Sequence, residues 1–320
     1  MIDFRYHIVS LIAVFLALAL GLFLGSTTLQ STVTHNLKAR ADSVTGTNAR
    51  LNTENDRLGN ELKDAQDFLT AVAPYTVENR LAGQDVALIA APGLPSDDAQ
   101  GVQAALQQAG ATVTAAVQLQ SAYLDPTQDA ELGGLAEQLK LPGHKLPNGS
   151  GATQASSELA AVLTAKPGTP PVAKVNVDAT LTALEDGKFV SLAGDPPTHQ
   201  AGMAVLMVPA PSSSTSQATA TAQETILLDL VTQLRKTTTA FVVAGESVTP
   251  PVDGVLKAVQ SDSTLSKAVS TVDLGDRQVD SDLTAGRITV VLTLADAGSG
   301  QPGDYGLGAH PPVPSPSTTP

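Results

Sequence analysis

Cysteine is absent from the 320-residue chain, which excludes disulfides, thiolate metal sites and cysteine nucleophiles. Its absence also fits a location outside the cytoplasm. Tryptophan is missing too, and aromatic residues make up only 3% although 42% are hydrophobic. The core must therefore be built from Ala, Val and Leu, with few large anchors. Positive charge is scarce: 18 Lys and Arg face 31 Asp and Glu, for a net charge of −13. A chain of this sign lacks the clustered cations that nucleic-acid phosphates require. It also lacks a polybasic grip on anionic lipid.

Charge disappears altogether from residues 8–25, IVSLIAVFLALALGLFLG, where Ser10 is the one strongly polar member. As a helix this run rises roughly 27 Å, close to the thickness of the hydrocarbon layer. The next charge is Lys38, so the helix can extend to residue 29. A cleavable signal peptide has a shorter apolar core and ends in an Ala-x-Ala-like site. Here the core is longer and Gly25-Ser26-Thr27-Thr28 matches that site poorly. The reading is a single-pass transmembrane helix over 8–29, preceded by a short cytoplasmic end at 1–7. Arg5 lies close to the membrane, whereas Lys38 and Arg40 lie farther off on the other side. The positive-inside rule then expects the N-terminus inside and the C-terminal domain extracytoplasmic, on the cell membrane.

After the apolar run, Leu37, Val44, Leu51, Leu58 and Ala65 recur every seven residues. Taken as d positions, they place Ala41, Asn48, Asn55, Leu62 and Leu69 at a, a coiled-coil pattern over residues 30–76. The two asparagines weaken the seam but set register in a parallel homodimer. Gly46 and Gly59 fall off the seam, and Pro74 is expected to end the helix. The competing reading is one amphipathic helix packed on its own domain.

From Gly83 the apolar period shortens. Residues 85–91 read as a buried strand and Pro92-Gly93 breaks it. Ser96-Asp97-Asp98 opens a helix carried by Val102 and Leu106, Gly110 stops it, and 111–119 reads as a second strand. Further strands are expected at 203–209, 239–244, 269–274 and 287–294, and helices at 128–140, 156–165, 178–185, 222–236 and 252–259. Short apolar strands alternating with helices imply an α/β fold, a doubly wound and mostly parallel sheet domain over 83–296. The Ser/Thr stretch 210–220 reads as a loop, and the Pro/Gly-rich tail 297–320 as disordered or extended.

Few motifs of chemistry are present. The first strand is followed by Ala91-Pro92-Gly93-Leu94-Pro95-Ser96-Asp97-Asp98, with one Gly and two Asp where a dinucleotide-binding loop needs three glycines. Walker A, His-Glu-x-x-His and EF-hand patterns are missing, and Gly245-Glu246-Ser247-Val248-Thr249 is no nucleophile elbow. No catalytic residue and no bound cofactor is evident, so the chain reads as a non-enzyme. His7, His35, His144, His199 and His310 are scattered, which leaves any metal ligands unknown. Met203 and Met207 share one face of a strand; two thioethers suit Cu(I), but core packing is the plainer account. Asp273 and Asp276 follow a strand end, as ligand contacts or as solvated loop carboxylates.

The opening MIDFRYHIVSLIAVFLALALGLFLG resembles the MctB-like copper-transport family of actinobacteria. The resemblance continues through the stalk, the strand–helix–strand unit near Val86, and the Asp304-Tyr305-Gly306 turn with its Pro-rich end. It implies a role in copper transport or homeostasis at the cell envelope, with copper ion as cargo. A related branch, similar to SteB-type proteins, implies the alternative of a structural partner of another envelope membrane protein in division or envelope assembly.

Overall fold

The computed structural model describes residues 4–210, 215–246, 254–275, 283–306 and 313–314, and for 26–36 the backbone alone. The chain divides into two units, Met1–Ala65 and Gln66–Pro320. One unbroken helix, α1 (Phe4–Val77), supplies the first unit and enters the second.

Within the first unit, Phe4–Gly25 is a 22-residue apolar span of mean hydropathy 2.8, and none of it is buried. A helix satisfies its own backbone hydrogen bonds, so such a span is stable in lipid with every side chain facing outward. Further along, Arg57 pairs with Glu54 at 2.6 Å one turn before it and with Glu61 one turn after it. That spacing supports an exposed helix, and the guanidinium holds the Glu54 carboxyl below its ordinary range. Leu37, Val44, Leu51 and Leu58 are exposed, between 45% and 61%. The heptad stripe is thus helical and unpaired within this chain; a coiled coil itself is not seen.

Pro74 does not end α1, which runs on to Val77. Proline breaks a helix by removing one N–H and crowding the carbonyl four residues earlier. In the last turn little helix remains to be broken, and the Glu78 N–H still closes on the Pro74 carbonyl at 3.0 Å. Termination falls instead at Asn79, whose φ of 60° is left-handed.

The second unit is built on a seven-stranded sheet of order β3-β2-β1-β4-β5-β6-β7. Its strands are β1 (Asp85–Ala90), β2 (Thr112–Leu119), β3 (Val190–Leu192), β4 (Met203–Val208), β5 (Ala240–Gly245), β6 (Ser270–Asp273) and β7 (Asp304–Gly306). All pairs are parallel except β2 with β3. The helices are α2 (Ser96–Gln108), α3 (Asp129–Gln138), α4 (Gly151–Leu163), α5 (Lys174–Asp186), α6 (Gln217–Thr237), α7 (Val255–Ser261) and α8 (Thr284–Gly298). Strand residues alternate between two cores. Ile89, Leu206 and Phe241 pack with α3 to α7, whereas Leu88, Val205 and Val242 pack with α2, α8 and the end of α1. The period of two therefore feeds both faces, which is why the central strands read as continuous apolar runs. Ser150 and Ser216 cap α4 and α6 by accepting the N–H of Thr153 and Thr219.

One further expectation needs correction, and two short edge strands were not foreseen. The run 287–294 is not a strand but part of α8. Its β-branched residues suit either state, and periodicity cannot separate a buried helix from a buried strand. Packing decides: Ile288, Val290, Val291 and Leu294 are buried against the sheet, and Gly286 brings α8 onto the Leu274 backbone. The antiparallel β3 was not expected, because three residues carry no readable period. Within the tail, read as disordered or extended, Asp304–Gly306 is extended as an edge strand paired with β6, while 307–312 and 315–320 lie outside the described residues.

Candidate functional site

An open α/β sheet binds ligands beyond the carboxyl ends of its strands, where the strand order reverses. Here the reversal falls between β1 and β4. The Ala91 N–H donates to the Met207 carbonyl at 2.8 Å, and Gly93, at φ 94°, turns the chain beside Pro209. The helix start that follows is already occupied by protein groups. Asp98 is 1% exposed, and the Arg287 guanidinium from α8 reaches its carboxylate at 4.0 Å. Arg287 lies over Gly101, where an added Cβ would stand 2.2 Å from the guanidinium carbon. The first turn of α2 thus carries a buried carboxylate with a cation beside it. Asp273 accepts the Gly275 N–H at 2.9 Å and so shapes its own turn. Asp276 lies outside the described residues.

The side chains able to hold a metal are dispersed. Met203 and Met207 are buried on one face of β4 within the second core, and the Met203 methyl lies against Gly298. They serve as packing. His7 stands exposed on the apolar span, and His199 pairs with Asp85 at 3.1 Å. The His35 side chain and His310 fall outside the described residues. Among the described residues no group of three or more His, Cys, Asp or Glu could hold a metal ion.

The fold does assemble one polar cluster that sequence reading missed. His144 sits in the Pro/Gly-rich loop before α4, and its Nδ1 lies 2.7 Å from Glu158 Oε1. The other Glu158 oxygen accepts the Leu141 N–H at 3.1 Å, and His144 Nε2 lies 3.4 Å from Ser157 Oγ. Beside it, the fully buried Tyr123 hydroxyl meets Ser156 Oγ at 2.7 Å, and burial pushes its phenol well above the usual range. The Ser–His–Glu order holds the atoms of an acyl-transfer relay. Ser157 is only 7% exposed, and its 3.4 Å contact with His144 is long for a hydrogen bond. The cluster instead satisfies a buried carboxylate and pins the loop to α4. Its bonded partners lie 13 to 33 residues apart, with no motif spacing to reveal them.

The chain is similar to known proteins over nearly all its length. Residues 1–314 match the family described as copper transport outer membrane protein, MctB. "Copper transporter MctB" of Mycobacterium tuberculosis is 28% identical over 314 residues, covering 96% of this chain and 97% of the relative. The protein of the same name in Mycobacterium bovis matches equally, at 28% over 314 residues. That of Mycobacterium leprae is 26% identical over 319 residues, again covering 96% and 97%. A match that runs from the apolar helix through the whole sheet domain settles membership: this chain belongs to the MctB family of copper transport proteins.

Proposed function

We propose that this protein works in copper homeostasis as a single-pass tether whose α/β domain lies outside the cytoplasm, and that it acts as a homodimer without catalysing a reaction. The observation that carries the reading is the 22-residue, wholly unburied apolar span in a chain whose relatives are named copper transporters. Lipid is the environment that suits such a span, since residues 8–25 carry no charge and nearly all their side chains are apolar. Arg5 beside its start favours the N-terminus inside.

Dimerisation is supported by the exposed stripe of Leu37, Val44, Leu51 and Leu58, which a second copy would cover. A single apolar helix cannot line a pore by itself, so direct conduction of copper would require such assembly. Copper is cargo in this reading, not a resident ion. The reading without catalysis rests on the lack of any catalytic motif in the sequence.

The test is deletion of the gene followed by growth and cell-associated copper measurement under copper stress, with complementation by the intact chain. Loss of tolerance, rescued by the chain, is expected. Unchanged tolerance and unchanged copper content would overturn the proposal. Carbonate extraction and protease protection of intact cells check the tether and the side on which the domain lies.

A further inference from the structure

The opposite edge of the sheet, where the parallel strands begin, carries a cleft of about 550 Å³. Four cations line it: Lys166, Arg235, Lys236 and Lys267. They arrive from separate places in the chain. Lys166 follows α4, Arg235 and Lys236 close α6, and Lys267 precedes β6. Among the described residues lining the cleft none is acidic. Four of the chain's 18 cations thus gather in one hollow of a molecule whose net charge is −13.

The ordinary account is helix-end compensation, because cations favour the negative C-terminal end of a helix. Its magnitude can be weighed. α4, α6 and α8 all end at this edge, and each end carries roughly half a negative charge. Asp262 also lies near Arg235; the N–H groups of Leu265 and Thr264, and then Arg235, hold its carboxyl low and therefore charged. Against four cations, these leave an excess of roughly one to two positive charges. Lys236 bonds Gln233 at 3.0 Å, but Lys166 and Lys267 have no carboxylate within ion-pair distance among the described residues. Both are exposed, so their ammonium groups are free to close on a ligand.

Size and geometry narrow the class. The volume falls within the range of about 300–1,000 Å³ typical of small-molecule sites. A tetrahedral oxyanion fills on the order of three water volumes, roughly 90 Å³, so more than one such group fits. Arginine offers a planar fork to an oxyanion and the lysines offer mobile point charges. We propose that this cleft binds the phosphate groups of a polyanionic ligand, carried either by a soluble small molecule or by a lipid headgroup. The inference does not depend on copper.

Full-length protein in detergent is titrated calorimetrically with sodium pyrophosphate and, separately, with dihexanoyl phosphatidic acid below its micellar concentration, at about 50 mM salt. Binding with a Kd on the order of 100 µM is expected for at least one probe, weakening as salt rises. The double variant Lys166→Glu/Lys267→Glu should lose at least about tenfold in affinity at an unchanged unfolding midpoint. Lys166→Arg/Lys267→Arg should keep it. Pyrophosphate binding alone indicates a soluble source, and phosphatidic acid binding alone a headgroup; either supports the cleft. No binding by either probe, or equal affinity in the charge-reversed variant, overturns the proposal.

Discussion

The two units spend the same kind of residue in opposite ways. In α1, Leu16, Leu20 and Leu51 are exposed, and in the sheet domain Leu88, Leu206 and Leu234 are buried. A leucine in the domain is stabilised by its own chain, with roughly 1.5–3 kcal/mol for each fully buried side chain. An exposed leucine in the helix has no such cover from its own chain; in the function proposed above, lipid covers the first part and a second copy the heptad stripe. The domain is therefore self-sufficient, whereas the helix is complete only in context. The same contrast explains the polar groups. Arg57 serves exposed pairs along a helix, while Glu158 and Asp98 are buried and held by groups from distant segments.

The contrast can be tested from both sides. The largest effect is expected from Leu16→Lys together with Leu20→Lys, which should cost about 5–7 kcal/mol of membrane insertion. Carbonate extraction should then release the protein, with the domain's unfolding transition unchanged; retention in the membrane would break the comparison. Next, Leu206→Ala at a fully buried position should destabilise the domain by about 2–5 kcal/mol in denaturant titration. Leu51→Ala should leave the same transition unmoved.

Gly286→Ala comes third, because its Cβ would stand 2.4 Å from the Leu274 carbonyl oxygen and 2.6 Å from the Leu274 Cα. These are backbone atoms, so α8 must shift, at about 1–3 kcal/mol; an unchanged denaturation midpoint would show that α8 has slack. Fourth, Leu51→Asp with Leu58→Asp should weaken self-association at least about tenfold in sedimentation. Equal association would remove the stalk from the interface.

The smallest effect concerns pH. Burial raises the Tyr123 phenol, so the folded state holds its proton after the unfolded chain has released it. The contribution is complete below the ordinary tyrosine value of about 10 and falls above it by at most about 1.4 kcal/mol per pH unit. Urea titrations at rising pH should show that loss, and Tyr123→Phe should flatten it.

Local pattern made part of this molecule legible. The strands at 85–90, 203–208 and 240–245 stand out as short apolar runs between turn residues, and α2 and α6 as amphipathic segments. The failures share one cause. β3 and β7 have three residues each, too few for a period, and exist only because β2 and β6 offer edges to pair with. The run in α8 has the composition of a strand and is made helical by the sheet beneath it. For the sites the gap is wider. The absence of phosphate-loop glycines was plain in the chain, whereas the pairing of the buried Asp98 with Arg287 was not. Neither the His144–Glu158 cluster nor the four-cation cleft has any motif spacing.

The sequence by itself determined the uncharged span, the heptad stripe, the alternating α/β order and the lack of cysteine chemistry, because each depends on neighbours a few residues apart. Tertiary structure alone decided which apolar run became α8, which edge took the tail, and which charges met across the fold. Those outcomes depend on contacts between segments far apart in the chain, where burial and pairing outweigh local preference.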